Sequence, residues 1–157
     1  MTDASFTSYS GTVDITVKYT GNGSSFSLNS VDLVISEASV RVMRTDGADV
    51  PLKSFIVSRQ YEQLHFEFDE KLETDASYKV HLQFTGQIKT DFFKGIYRSS
   101  YRVGSEIKYL ATTFLAATYA RTVFPCYDEP GYKARFNVKI RHLSHHTALS
   151  NMPVTAR

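Results

Sequence analysis

Apolar and polar residues alternate with period two along most of the chain. That spacing turns one face of a β-strand to a core and the other to water. In "GTVDITVKYT", Val13, Ile15, Val17 and Tyr19 share a face. The turn residues of "GNGSS" then break the pattern at Gly21, Asn22 and Gly23. Leu33 with Ile35, and Val40 with Val42, predict two short strands. "RTDGAD" reads as a hairpin with Asp46 and Gly47 at its tip, and Phe55 and Val57 follow. "QLHFEF" alternates through Leu64, Phe66 and Phe68, and "SYKVHLQFTG" through Tyr78, Val80, Leu82 and Phe84. Later strands are predicted at "IKYLATTF" and at "KARFNVKI", where Ala134, Phe136, Val138 and Ile140 share a face.

Helical periodicity is nearly missing. The best candidate is one or two turns between Ala116 and Thr122. "TDFFKGIYRSSYR" interleaves aromatic, basic and polar residues around a glycine, and reads as a long loop or irregular strand against the core. Many short strands with turns between them predict an all-β fold: an antiparallel β-sandwich or a curved, saddle-like sheet. With 157 residues and no linker or repeat, one domain is expected over 1–157.

Charge adds little. A formal net charge of +2 gives no case for a nucleic-acid partner. Lys133, Arg135, Lys139, Arg141 and Arg157 form an acid-free basic stretch, which reads as a solvated strand face or a binding patch. No apolar run is long enough to span a membrane, and "MTDASFTSYSG" lacks the regions of a signal peptide. As written the chain reads as cytoplasmic; a piece of an extracellular or membrane-anchored ectodomain would read the same.

Candidate chemistry centres on "FPCYDEP", Phe124 to Pro130. Cys126 is the single cysteine, so no disulfide framework exists within the chain. A thiol between Pro125 and Tyr127 with no histidine placed beside it is expected to be buried and reduced. Asp128 and Glu129 read either as an acid–base pair or as structural acids. In the second reading Asp128 bonds turn amides and Glu129 pairs with an arginine such as Arg121. Five histidines are present: His65 and His81 on strands, and His142, His145 and His146 in "RHLSHH". His142 and His146 have metal-binding spacing only on a helix, and the segment follows a strand without a glutamate. No metal is expected there. Asn22-Gly23-Ser24 is an N-glycosylation sequon on a predicted loop.

The run "YLATTFLAATYARTVFPCYDEPGYKARFNVKIRH" resembles the N-terminal domain of the zinc aminopeptidases related to aminopeptidase N. The likeness rests on Thr112-Thr113, Ala120-Arg121, Phe124 to Pro130, and Lys133 to Phe136. "KGIYRSSY", "ALSNMP" at Ala148 to Pro153, and "YSGTVDITV" are similar to further family segments and fall in family order.

The resemblance implies that Arg121, Phe124, Pro125, Cys126, Asp128, Glu129 and Pro130 form a structural corner beside the active-site cleft of a complete enzyme. It implies zinc in the following catalytic domain and none in this chain. The zinc-binding His-Glu-x-x-His and the Gly-x-Met-Glu-Asn exopeptidase motif are both missing from the sequence. Residues 1–157 alone are therefore expected to be non-catalytic. Family members place a Gln or Glu for the substrate amine four residues before the alanine of the Ala-Arg pair, and often a Gln two residues earlier. Those positions are Ala116 and Phe114 here, so the amine anchor is lost, at a cost of roughly 1.5–3 kcal/mol for a charge-assisted hydrogen bond. The resemblance also implies a missing last hairpin, an open sheet edge, and a partner for that edge, whether the catalytic domain of a longer parent or another chain. Two other expectations stand beside this one. The chain is part of an active aminopeptidase with a rebuilt amine site, or it is a stand-alone sandwich binding protein or glycan through Tyr97, Arg98 and Tyr101.

Overall fold

The structure is a computed structural model and describes residues 6–155. Arg157 of the basic stretch lies outside the described residues. Two antiparallel sheets face each other, as the alternation requires. In the first sheet β7 (Ser77–Gln87) is central. It pairs on one side with β1 (Ser8–Lys18), from Ser8 opposite Gln87 to Lys18 opposite Ser77. Its other side takes β3 (Leu33–Ile35) and β4 (Arg41–Arg44). In the second sheet β6 (Gln63–Phe68) runs between β2 (Ser25–Asn29) and β5 (Leu52–Ser58).

The core lies between these sheets. Val17, Val42, Tyr78, Val80 and Leu82 from the first meet Leu28, Leu64, Phe66 and Phe68 from the second. Phe66 is fully buried, with its ring centroid 5.0 Å from Phe26 and 5.1 Å from Phe55. The Tyr78 hydroxyl, also buried, accepts the Glu73 amide at 2.9 Å, so its burial leaves no polar atom unmatched. The predicted hairpin at Asp46-Gly47 is present, closed by the Arg44 and Ala48 main chains at 2.8 Å. β5 carries a bulge between Leu52 and Ser54, which lets Leu52 and Phe55, three residues apart, both pack on the core, while Val57 farther along is exposed.

Four expectations need correction. The break at Gly21 to Gly23 is present, but β2 starts directly after it at Ser25, where no strand is expected, although Phe26 and Leu28 carry a short alternation. The segment expected as a long loop or irregular strand against the core is, from Gly95 on, a regular strand away from the core, β8 (Gly95–Val103), paired along its length with β9 (Glu106–Phe114). This ribbon forms its own two-stranded sheet, and both of its faces meet solvent over much of their length. That explains the mixed sequence: without a core face, no clean alternation is selected. The helical candidate is reduced to a 3-10 turn, Ala120–Thr122. Finally, "KARFNVKI" forms no strand. Among the described residues nothing pairs with it, and Phe136, Val138 and Ile140 are all more than half exposed. Alternation alone cannot make a strand whose backbone lacks a hydrogen-bonding neighbour.

Candidate functional site

The "FPCYDEP" corner is built around Arg121, in the 3-10 turn that follows β9. The side chains of Arg121 and Asp128 are 13% and 11% exposed, and Arg121 Nε donates to Asp128 Oδ2 at 3.0 Å. The Arg121 amide reaches the same oxygen at 3.2 Å. Arg121 Nη1 donates to Glu62 Oε2 at 2.9 Å. Burial by itself would weaken the guanidinium's hold on its proton. The hydrogen bonds it donates to Asp128 and Glu62 outweigh that, so the Arg121 pKa is raised. The acid on Arg121 is thus Asp128, helped by Glu62. Glu129 is exposed, and its carbonyl accepts the Tyr132 amide at 3.1 Å. Adjacent carboxylates in extended chain point apart, which is why only one of them reaches the arginine.

Main-chain bonds carry the corner onto the sandwich. Cys126 and Asn29 exchange amide–carbonyl bonds of 2.8 and 3.1 Å, extending the end of β2. Asn29 Oδ1 accepts the Asp128 amide at 3.1 Å, and the Val31 amide donates to the Arg121 carbonyl at 3.0 Å. From the other sheet, the Tyr9 hydroxyl donates to the Val123 carbonyl at 2.8 Å. Tyr9 reaches it because its ring lies across Gly86, where any Cβ would sit 2.5 Å from the ring. Gly95 is fitted as closely. It has φ +69°, and a Cβ there would collide with the Thr122 hydroxyl. The corner is therefore a clasp joining both sheets and the ribbon. Pro125 is fully buried within it, Cys126 is half-buried, and Phe124 touches Phe136 edge to face. Burial, reinforced by the Asp128 charge, pushes the Cys126 thiol up to about 12, which disfavours the reactive thiolate at neutral pH.

Phe114 ends β9 opposite Gly95, and Ala116 lies two residues on; both are exposed. The register places Tyr97, Tyr101, Val103, Leu110 and Phe114 on one ribbon face. Tyr101, Val103, Leu110 and Phe114 are between 38% and 51% exposed, so this face is uncovered and carries these side chains among Ser99, Glu106, Lys108 and Thr112. Arg98 lies on the opposite face, over the Tyr109 ring at 5.2 Å. Tyr97, Arg98 and Tyr101 therefore do not form one surface. Beside the clasp a cleft of about 310 Å³ is lined by Glu62, Lys89, Asp91, Phe92, Lys94 and Tyr119. Lys94 fills part of it, donating to the Tyr119 hydroxyl at 3.0 Å.

The other marked residues lie apart from this region. His65 bonds the Ser27 hydroxyl at 3.0 Å and His81 bonds Asp14 at 2.9 Å, each on an outward strand face. His142, His145 and His146 sit around a turn rather than a helix. Asn22 is exposed between β1 and β2. Glu62, Asn29 and Tyr9, which complete the clasp, were not foreseen. They come from elements 59, 99 and 114 residues away from their partners, and no local pattern marks them.

Residues 2–157 match the family model described as the Peptidase M1 N-terminal domain. Human aminopeptidase Q is 34% identical over 92% of this chain and 15% of its own length. Human endoplasmic reticulum aminopeptidase 2 is 40% identical over 80% of this chain and 13% of its own. The rat thyrotropin-releasing hormone-degrading ectoenzyme is 31% identical over 93% and 14%. The chain spans about a seventh of the length of these relatives.

Proposed function

The chain belongs to the Peptidase M1 N-terminal domain family, and from that membership we propose that it serves as the non-catalytic first module of a zinc aminopeptidase-like parent. The relatives are aminopeptidases, and the matched region is their N-terminal domain. In this reading the catalytic domain holds the zinc, whose chemistry is to activate water and polarise the scissile carbonyl. This chain's residues do the positioning. The Arg121–Asp128–Glu62 clasp fixes the end of the ribbon, and the ribbon presents its apolar face to the catalytic domain. The observation that carries the reading is that face: Tyr101, Val103, Leu110 and Phe114, uncovered and ending next to Ala116.

At Ala116 and Phe114 the chain would line the end of the cleft that receives the substrate's amino group. Neither side chain offers a charge or an acceptor, so the parent discriminates weakly in favour of free amino termini, or supplies the anchor from another domain. The relatives named for the endoplasmic reticulum and as an ectoenzyme support a parent made on the secretory route.

The test uses the full-length parent carrying Phe114→Gln with Ala116→Glu, assayed on a peptide with a free amine and on its acetylated twin. A carboxylate in a partly desolvated cleft attracts an ammonium. Preference for the free amine should rise roughly tenfold, about 1.4 kcal/mol. An equal response to both peptides would show that position 116 does not face the amine.

A further inference from the structure

The β1–β2 loop is tied down everywhere except at its apex. The Tyr19 hydroxyl accepts the Gly23 amide at 2.9 Å, and the Gly21 carbonyl accepts the Thr74 hydroxyl at 2.8 Å. The Gly23 and Ser24 carbonyls accept the Leu72 and Phe68 amides at 2.9 and 2.8 Å. Asn22 stands between these anchors, exposed, and no residue takes its side-chain amide among the described residues. The Ser24 hydroxyl is equally untaken. Asn29 makes the contrast. It is also followed by a serine, but Val31 stands where a sequon needs Ser or Thr, and its carboxamide is committed to the Asp128 amide.

We propose that Asn22 is an N-glycosylation site of the parent protein. The inference rests on the secretory reading above. The reaction joins Asn22 Nδ2 to the anomeric carbon of a sugar delivered by a lipid-linked oligosaccharide pyrophosphate. The C–N bond forms, the bond from that carbon to the pyrophosphate oxygen breaks, and the amide loses one proton as the lipid pyrophosphate departs. The hydroxyl of Ser24, two residues on, completes the acceptor sequon.

The fold accommodates the product. β1 runs from the clasp, where Tyr9 holds Val123, to Lys18 just before the loop, about 30 Å away at the usual rise of a strand. A bulky glycan on Asn22 therefore stands at the far pole from the clasp. It leaves the ribbon face free to be covered and adds its mass where Asn22 is already exposed.

The test is made on the full-length protein isolated from its source organism. N-glycans are released enzymatically in heavy-oxygen water, which leaves one heavy oxygen on each formerly glycosylated site, and the peptides are read by mass spectrometry. The label is expected on the peptide containing Asn22. In secreted recombinant protein Asn22→Gln and Ser24→Ala should abolish it, and Ser24→Thr should keep or raise occupancy. Label on other peptides with Asn22 unlabelled overturns the site while leaving the secretory reading intact. No label anywhere overturns both. Loss on Asn22→Gln with persistence on Ser24→Ala also overturns the proposal, because the modification would then not be sequon-directed.

Discussion

β7 and residues 133–140 carry the same kind of sequence and reach opposite ends. Tyr78, Val80, Leu82 and Phe84 alternate on β7 and are at most 6% exposed. Phe136, Val138 and Ile140 alternate in the same way and are 70%, 57% and 52% exposed. The difference lies outside both segments. β7 has β1 on one side, β3 and β4 on the other, and a second sheet against its apolar face. Residues 133–140 have none of these among the described residues. Alternation records which face a strand can bury. Whether it is buried depends on a partner that supplies both the hydrogen-bonding edge and the opposing surface.

The comparison breaks most sharply by truncating one ring on each side of it. Phe66→Ala should cost about 3–5 kcal/mol, since it leaves a cavity among Phe26, Phe55 and the β7 face. Phe136→Ala in residues 1–157 should change stability by no more than about 0.5 kcal/mol. Chemical denaturation with a common slope checks both, and a Phe136 effect as large as that of Phe66 would mean the segment is docked in solution. In the full-length parent the Phe136 effect should grow if another domain covers the segment.

A smaller effect is expected at the clasp. Asp128→Ala should cost about 1–3 kcal/mol, the range for leaving the donors of a largely buried partner unmatched. The larger penalty of a stranded buried charge is avoided because Glu62 stays on Arg121. An unchanged denaturation midpoint would show that the corner is held without this acid.

The last effect is kinetic. With its pKa pushed up to about 12, the folded Cys126 thiol keeps its proton to higher pH than the unfolded one near 9.0. A raised folded-state pKa adds stability that is complete below about pH 9 and is lost as pH climbs toward 12. Alkylation of the native protein at pH 8 should therefore be slower than that of the denatured protein on the order of a thousandfold, the ratio of the two thiolate fractions. Equal rates would place the thiol on the open side of the corner.

Much of the sandwich was legible because its strands bury one face each. The alternation at Val13–Tyr19, Leu64–Phe68 and Tyr78–Phe84 names the inward residues directly. β8 was hidden because a ribbon wet on both faces selects no alternation, and β2 because five residues beside a glycine-rich turn give too short a pattern. At the corner the sequence marked Arg121 and the acids, but chose Glu129 where the fold uses Asp128. Local spacing treats neighbouring carboxylates alike; only the backbone direction through Tyr127 and Asp128 separates them.

By itself, then, the sequence determined the all-β class, the inward faces of the principal strands, the family, and the absence from these residues of the zinc-binding and exopeptidase motifs. Each of these is written in residue types at short range. The tertiary structure alone decided which acid holds Arg121, that Tyr9 and Asn29 reach across 114 and 99 residues to close the clasp, and that Phe136 to Ile140 remain uncovered. Those outcomes depend on which backbone edges and surfaces meet. Such meetings are fixed by hydrogen-bond pairing and packing between distant segments, and no single segment encodes both partners.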